Sequence, residues 1–275
     1  MRQRELTSAG IGELTLRGQA WLPERDPDAV IVLAHGLAEH CARYAALATV
    51  LAAHGFAVYA LDHRGHGRSG GSRANIDRFA HAVSDFCAFA GRAAKQHPGA
   101  PVYLLGHSMG GAIAFASALR LQDSLRGLVL SAPALAPGEP PPALRVVMAR
   151  LLAAIAPNAG ALKLDANAVS RDPLVVREYT ADPLVFHGSI PARTVVELLD
   201  AMAGFPAQAR RLRLPTLVLH GTADKLVPVA ALRPVYQAFG SKDRTMRFYD
   251  GLYHEVFNEP EREQVTADLL SWLHR

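Results

Sequence analysis

The sequence has few cysteines and no long apolar run, and both shortages restrict what the protein can be. Two cysteines occur among 275 residues, which excludes a small fold held together by several disulfides. Neither Cys41 nor Cys87 lies in a C-x-x-C pair or a metal-ligand cluster, and we expect Cys87 to be a buried free thiol on a helix. No stretch approaches about 18 uninterrupted apolar residues, so no transmembrane span is expected.

Signals for secretion and for nucleic acid are also absent. The charged residues 1–5 are not followed by an apolar run of the signal-peptide type, which leads us to expect a cytoplasmic protein. The net charge is only +4, and the densest basic group, Arg210, Arg211 and Arg213, is interpreted as a solvated face in preference to an anionic-membrane contact. Without an aromatic and basic platform, no nucleic-acid partner is expected.

The chain instead shows an alternation of apolar runs and helical segments. Continuous apolar runs predict strands that are buried on both faces, over 29–33, 56–61, 102–105 and 127–131. An antiparallel strand is expected before them, over 14–22. Because helical segments separate the runs, the order predicts an α/β fold, with a mostly parallel central sheet flanked by helices.

This alternation stops after the fourth buried run and resumes near Thr216. The part between is proline-rich and irregular, with short helical pieces, and we interpret it as a helical cap inserted over the sheet. The predicted organisation is a core in two parts, residues 1–133 and 214–275, with a cap over residues 134–213.

One cap segment, residues 144–155, is apolar around much of its circumference and is interrupted only by Arg145 and Arg150. Such a segment either lies in a membrane interface or packs on the body of the protein. We favour the lipid-facing interpretation because the segment lies in the insertion.

A candidate nucleophile follows the third buried strand. Residues 106–110 read Gly-His-Ser-Met-Gly, which matches G-x-S-x-G with a strand before it and a helix after it. The serine of this pattern lies on a sharp, strained turn, and glycines two residues to either side avoid collisions there. We therefore predict Ser108 as the nucleophile of a serine hydrolase.

A serine hydroxyl needs a base to act as a nucleophile, and the expected order along the chain is Ser, Asp or Glu, His. Asp224 follows the strand after the cap, and His254 follows the next strand. His254 would accept the Ser108 proton, and Asp224 would orient the imidazole. Asp250 is a competing carboxylate, but it lies four residues from His254 and is expected to cap a turn.

Two N–H donors are needed for the developing oxyanion. The Met109 N–H lies at a helix N-terminus, where negative charge is stabilised. The second donor is expected from the loop after the first buried strand. There Gly36 allows the backbone to turn inward, and we predict the Leu37 N–H.

These motifs together resemble the monoacylglycerol lipase family of the α/β-hydrolase superfamily, most of all its bacterial members, over residues 14–273. The stretches that carry the resemblance are His35–His40 with Arg43-Tyr44, Asp62–Ser69, Gly106–Gly111, Ser170–Pro173, Tyr179 with Asp182–Leu184, and Gly251–Glu255. The G-x-S-x-G turn around Ser108, called the elbow below, and the His-Gly turn at His35-Gly36 are common to many hydrolases. The Glu39/Arg43/Tyr44 pattern, the His-Ser-Met-Gly-Gly sequence of the elbow and the Asp-Pro-Leu in the cap are more specific.

The resemblance implies an α/β-hydrolase fold with an inserted cap and hydrolysis of monoacylglycerols to glycerol and fatty acid, without a cofactor. It places the triad on Ser108, Asp224 and His254 and the oxyanion donors on Leu37 and Met109. The implied partners are the monoacylglycerol and, through the cap, a membrane or micelle surface bound peripherally.

The resemblance also implies a polar site for the glycerol head, at positions matching Glu39, Arg43, His107 and Tyr179. Structural interpretations stand beside it. Glu39 and Arg43 could form a simple i, i+4 helix pair, His107 could brace the elbow, and Tyr179 could pack within the cap.

The loop over residues 62–69 contains histidines but is interpreted as structural, with Asp62 and Arg64 bonding backbone groups. A zinc site on His63 and His66 lacks further ligands nearby, so no metal is expected. The alternative functions on the same triad are a lysophospholipase or a general carboxylesterase. A binding protein without catalysis is disfavoured because all triad residues are present.

Overall fold

The computed structural model of the chain describes residues 1–138 and 142–275, and within them a large sheet runs through the centre. Its strands lie in the order β1-β2-β4-β3-β5-β6-β9-β10. The pairs β1–β2 and β2–β4 are antiparallel, and every other neighbouring pair in this sheet is parallel. The strands, with those of a smaller sheet, are β1 (Arg2–Ala9), β2 (Thr15–Leu22), β3 (Ala29–Ala34), β4 (Phe56–Leu61), β5 (Val102–His107), β6 (Gly127–Ser131), β7 (Gly160–Leu162), β8 (Ile190–Pro191), β9 (Thr216–Gly221) and β10 (Arg244–Tyr249).

Helices cover both faces of this sheet. They are α1 (Ala45–Ala53), α2 (Phe79–Lys95), α3 (Met109–Leu121), α4 (Ala143–Ile155), α5 (Pro173–Ala181), α6 (Ala192–Ala209), α7 (Val229–Gln237) and α8 (Arg262–Leu273). Alternate residues of β3 point to opposite faces, so Val30 and Val32 belong to the core beneath α2 and α3 while Ile31 and Leu33 belong to the core beneath α1 and α8. The predicted parallel sheet flanked by helices is confirmed.

The first strand was not predicted. In β1 most side chains are exposed, because it is an edge strand paired only with β2. An edge strand of this kind lacks the apolar run that marks a buried strand. Cys87, expected to be buried, is only partly buried on α2.

Between β6 and β9 lie the helices α4, α5 and α6 and a small antiparallel sheet of β7 and β8. The small sheet was not predicted, because strands of two or three residues show no recognisable period. Residues 139–141 of the predicted cap lie outside the described residues. The division at 133/134 and 213/214 stays a prediction.

The segment between β6 and β9 is bonded to the body close to the loop after β3. The Phe186 N–H donates to the Ala38 carbonyl over 2.8 Å, and His40 Nε2 lies 2.8 Å from Asp182 Oδ2. Thr194 accepts from the Ile76 N–H and donates to the Ala74 carbonyl. These bonds hold the segment over the carboxyl ends of the central strands, where such sheets bind ligands.

Candidate active site

The turn from β5 into α3 has the backbone that an exposed nucleophile requires. Ser108 has φ 54° and ψ −121°, a left-handed φ that is strained for a residue with a side chain. A Cβ on Gly106 would collide with the Gly110 carbonyl, and a Cβ on Gly110 would collide with the carbonyls of Ala34 and His35. The two glycines therefore let the turn close tightly and bring α3 against the loop after β3.

Asp224 and His254 form a buried pair beside this turn. His254 Nδ1 donates to Asp224 Oδ2 over 2.7 Å, and the other oxygen, Oδ1, accepts from the N–H groups of Leu226 and Val227. Burial acts to raise the pKa of Asp224, but the charge of His254 and the hydrogen bonds from His220 and His254 outweigh burial and lower it below its usual value. Asp224 is thus an anion that orients the His254 ring.

The loops after β9 and β10 meet because their backbones approach closely. A Cβ on Gly221 would collide with the carbonyls of Leu252 and Tyr253, and the Ala223 N–H donates to the Leu252 carbonyl over 3.0 Å. Asp250 accepts from the Thr222 hydroxyl. Asp224, rather than the competing Asp250, is the carboxylate hydrogen-bonded to His254.

The loop after β3 passes beside the nucleophile. A Cβ built on Gly36 would lie 3.3 Å from the Ser108 Cβ, and Leu37 and Met109 both line the cavity above Ser108. Met109 is the first residue of α3, so its N–H has no partner within the helix. This arrangement brings the two predicted oxyanion donors to the same cavity as the serine.

That cavity has a volume of about 340 Å³. Ser108 and His254 lie in its wall, and the segment between β6 and β9 contributes mainly apolar side chains, namely Leu162, Leu164, Val169, Leu198 and Met202. Polar groups also face it, including Glu39, His107, Tyr179 and Glu255. Such a space can accept a molecule with a long apolar part and a small polar part.

Of the four predicted head-group residues, Arg43 is not in this wall in the described part of the chain. Its guanidinium bridges Glu39 and Glu255, with a bidentate bond to Glu255 at 2.6 and 2.7 Å, and it lies 4.7 Å from the centre of the Tyr179 ring. Glu39 also accepts from the Tyr44 hydroxyl. The Glu39 and Arg43 side chains are therefore a buried ion cluster, which is more than a surface helix pair.

The two carboxyl groups of this cluster differ in their environment. Burial raises the pKa of Glu39 above its usual value, and the nearby Arg43 only partly opposes it. Burial acts the same way on Glu255, but the charge and hydrogen bonds of Arg43 lower its pKa overall. Glu255 is the firmer anionic partner of Arg43, because both its oxygens are bonded to the guanidinium.

His107 lies against the catalytic pair. Its ring centroid is 4.6 Å from that of His254, and its Nδ1 is 3.2 Å from the Ser131 hydroxyl. Burial, with the neighbouring His254, lowers the pKa of His107 to about 3. His107 is thus a neutral side chain that both braces the turn and faces the cavity.

Two contributors were missed from the sequence. Glu255 directly follows His254, and its bond to Arg43 depends on a residue 212 positions away, which no local pattern reveals. His220 Nε2 donates to the Val227 carbonyl and lies 3.2 Å from Asp224 Oδ2. The sequence did offer one sign of this contact, because His220 lies only four residues before Asp224.

The loop over residues 62–69 has a structural arrangement. Asp62 accepts from the N–H groups of Cys41 and Arg68, as expected. Arg64 donates to the Ile11 carbonyl, also as expected, and in addition it bonds the carboxylates of Asp77 and Asp85, which was not expected. The reason is tertiary, because α2 brings Asp85 against the buried guanidinium.

A strained serine turn on a mostly parallel sheet flanked by helices defines the α/β-hydrolase class. Residues 25–261 match the family described as serine aminopeptidase, S33. A monoacylglycerol lipase of Mycolicibacterium smegmatis is 45% identical over 98% of this chain and 96% of its own length. A monoglyceride lipase of Rattus norvegicus is 36% identical over 93% of this chain and 86% of its own length.

A solved structure shows the same similarity to monoacylglycerol lipases. The monoacylglycerol lipase of Paleococcus ferrophilus superposes with a TM-score of 0.82 at 32% identity, covering 99% of this chain and 98% of the other. The chain belongs to the monoacylglycerol lipase family of α/β-hydrolases, as its motifs predicted.

Proposed function

We propose that the protein hydrolyses monoacylglycerols to glycerol and a fatty acid through an acyl-enzyme on Ser108. The observation that carries this proposal is the mainly apolar cavity directly above Ser108, with the Asp224–His254 pair in hydrogen bond at 2.7 Å. The identity to named monoacylglycerol lipases supports the choice of substrate.

In the first half of the reaction, Ser108 Oγ attacks the ester carbonyl while His254 Nε2 takes its proton. The carbonyl oxygen becomes an anion that accepts hydrogen bonds from the N–H groups of Leu37 and Met109. The anion collapses, the ester C–O bond breaks, and His254 gives its proton to the departing glycerol oxygen. Asp224 stabilises the imidazolium that exists between these two transfers.

In the second half, water attacks the acyl-Ser108 ester and His254 takes a proton from the water. The same two N–H groups stabilise the second oxyanion. Collapse breaks the bond to Ser108 Oγ, which regains a proton from His254, and the fatty acid leaves. Every proton in this scheme moves through side chains of the protein or water, so the residues described suffice for the chemistry.

The cavity wall supplies a place for each part of the substrate. We assign the acyl chain to the apolar residues of the segment between β6 and β9, and the glycerol hydroxyls to Glu39, His107 and Tyr179. Arg43 acts from behind this wall, through its bonds to Glu39 and Glu255.

We further propose that α4 docks on a membrane or micelle surface. Its outward side chains Leu144, Val147, Met148, Leu151 and Ile155 are all exposed, while Ala149, Leu152 and Ala153 pack on α6. An exposed apolar stripe of this kind is typical of interfacial binding, and the helix that α4 packs on, α6, contributes Leu198 and Met202 to the cavity wall. Among the described residues no helix is both long and apolar enough to cross a membrane.

A lysophospholipid is the second candidate substrate. Lys163 and Lys225 lie in the cavity wall and are exposed, so either ammonium could pair with a phosphate.

The test is a panel of monooleoylglycerol, dioleoylglycerol and lysophosphatidylcholine with matched acyl chains, assayed by released oleate. The proposal expects the highest kcat/KM for monooleoylglycerol. Preference for the lysophospholipid, weakened in Lys163→Ala and Lys225→Ala, would overturn the assignment of substrate but leave the mechanism in place.

A further inference from the structure

The Leu37 N–H can serve the oxyanion only if one peptide unit is correctly oriented. Leu37 N and the Gly36 carbonyl belong to the same planar unit, and in a trans peptide the N–H and C=O point in opposite directions. Whatever holds the Gly36 oxygen therefore decides where the Leu37 N–H points.

The group that holds this oxygen is the side chain of His35. His35 Nδ1 donates to Gly36 O over 2.8 Å. The His35 side chain is fully buried and, in the described part of the chain, does not line the cavity above Ser108. It acts on the loop from behind, without reach to a substrate.

The neighbouring loop determines which nitrogen of His35 carries the proton. The His63 N–H donates to His35 Nε2 over 3.0 Å, so Nε2 must be the unprotonated nitrogen. A neutral imidazole has a single N–H, which is then at Nδ1 and directed at Gly36 O. Burial, together with the nearby His66, lowers the pKa of His35 well below its usual value, so the ring is neutral.

Other bonds hold the units on either side of this peptide. The Gly36 N–H donates to Glu39 Oε1 over 2.6 Å, and Ala38 O accepts from the Phe186 N–H. Neither bond involves the Gly36 carbonyl or the Leu37 N–H. Among the described residues, the bond that fixes the rotation of the peptide between them is the one from His35 to the Gly36 carbonyl.

We propose that His35 is a positioning residue of the oxyanion hole, in which the His63 backbone selects the Nδ1–H form and that N–H fixes the peptide carrying Leu37 N–H. The proposal rests on the proposed function insofar as Leu37 is an oxyanion donor. It gives His35 an effect on kcat without contact with substrate.

Two substitutions separate the two nitrogens of the ring. Asparagine places its amide nitrogen near the position of Nδ1, so His35→Asn keeps a donor to Gly36 O and loses the acceptor for His63. Glutamine reaches the position of Nε2, so His35→Gln keeps the acceptor and loses the donor.

We expect His35→Gln to lower kcat roughly 100-fold, near the cost of one oxyanion donor, with KM within about threefold of the wild-type value. His35→Asn should remain within roughly tenfold of the wild type.

A trifluoromethyl ketone with an alkyl chain provides a second readout, because its adduct with Ser108 carries an oxyanion. Its inhibition constant should weaken in His35→Gln in proportion to kcat/KM and should change little in His35→Asn. Equal losses in two folded variants, or no loss in His35→Gln, would overturn the proposal. This comparison needs only a reactive serine, so it remains informative if monoacylglycerol proves not to be the substrate.

If either variant fails to fold, the wild-type enzyme answers the question. Nitrogen-15 spectra of labelled histidine should show His35 as the neutral Nδ1–H form at pH 7.5. A neutral Nε2–H form, or a protonated ring, would overturn the proposal.

Discussion

The helices α3 and α4 have the same length, 13 residues each, and both are mainly apolar, yet they lie in opposite environments. Nine residues of α3 are buried and it packs between the sheet and other helices, whereas only Ala153 is buried in α4. Leu144 and Ile155 of α4 are 73% and 83% exposed. Position explains the difference, because α3 follows the central strand β5 and packs between the sheet and other helices, while α4 lies outside them and packs on α6.

The comparison has a functional meaning. A tightly packed α3 holds the Ser108 turn and the Met109 N–H in one geometry, as the proposed role of this N–H in stabilising an oxyanion requires. An exposed apolar face on α4 has no such role in the described body and is available to a lipid surface. The predictions below test the two helices against each other, in order of decreasing effect.

The largest effect is expected for Gly110→Ala in α3. The added Cβ would meet the Ala34 and His35 carbonyls, which are backbone atoms that cannot move aside. The free energy of unfolding should fall by at least about 3 kcal/mol, measured by urea denaturation. The matched control is Gly91→Ala in α2, where the Cβ meets nothing within 4 Å and stability should rise by up to about 1 kcal/mol. Equal effects would contradict the tight packing of α3.

Acid should destabilise the loops around the start of α3 and leave α4, which has no titrating acidic or histidine side chain, unaffected. Burial lowers the pKa of His35 and His63 well below the usual value, of His66 to about 4 and of His107 to about 3. The unfolded chain therefore binds more protons below about pH 6.5. The contribution of these neutral histidines to the free energy of unfolding is complete above that pH, and it is lost as the pH falls toward their pKa values in the folded protein.

The measurement is urea denaturation at pH 7.5, 6.5 and 5.5 with His63→Gln as the comparison. Neither ring nitrogen of His63 has a hydrogen-bond partner among the described residues, so the substitution removes a titrating group with few lost contacts. For each pH unit below 6.5, the free energy of unfolding of the variant should fall by about 1.4 kcal/mol less than that of the wild type. If the free energy of unfolding falls equally with pH in the wild type and in His63→Gln, His63 is not held neutral by burial.

On α4, the double substitution Leu144→Ser and Leu151→Ser should weaken binding to phosphatidylcholine vesicles about tenfold, since each leucine loses apolar area buried in lipid. The free energy of unfolding should change by less than about 0.5 kcal/mol. Leu152→Ser is the control, because Leu152 packs inward on α6. It should lower stability and leave vesicle binding of the folded fraction unchanged. Loss of folding in the double variant with unchanged vesicle binding would mean that α4 packs on protein.

The smallest effect is expected for Arg150→Ala. Arg150 joins α4 to Asp200 of α6 at 2.5 Å, but both side chains are about half exposed. The free energy of unfolding should fall by less than about 1 kcal/mol at low salt and by less still at 0.5 M salt. A larger, salt-independent loss would show that α4 is held on α6 as firmly as α3 is held in the core.

Local patterns in the sequence were sufficient to predict the strands of the large sheet from β2 onward and the Ser108 turn. Continuous apolar runs mark buried strands, and the two flanking glycines are required sterically by the turn. The preference for Asp224 over Asp250 followed from spacing. The edge strand β1 and the small β7–β8 sheet were not predicted, since neither shows the pattern of apolar residues that marks a buried strand.

Tertiary contacts account for what could not be predicted at the site. The bond of Arg43 to Glu255 and that of the His63 N–H to His35 join residues distant in the chain. The apolarity of residues 144–155 was evident, but its outward direction depends on how α4 packs against α6. The catalytic roles themselves stay predictions until they are measured.

The most direct test is active-site titration with a fluorophosphonate, followed by intact-mass and peptide analysis. We predict that one phosphonyl group is added per chain, on the peptide containing Ser108, and that monooleoylglycerol hydrolysis declines in the same proportion. Ser108→Ala should gain no label, and its kcat should be lower by roughly a millionfold. Labelling at another residue, or hydrolysis that persists in Ser108→Ala, would contradict Ser108 as the nucleophile.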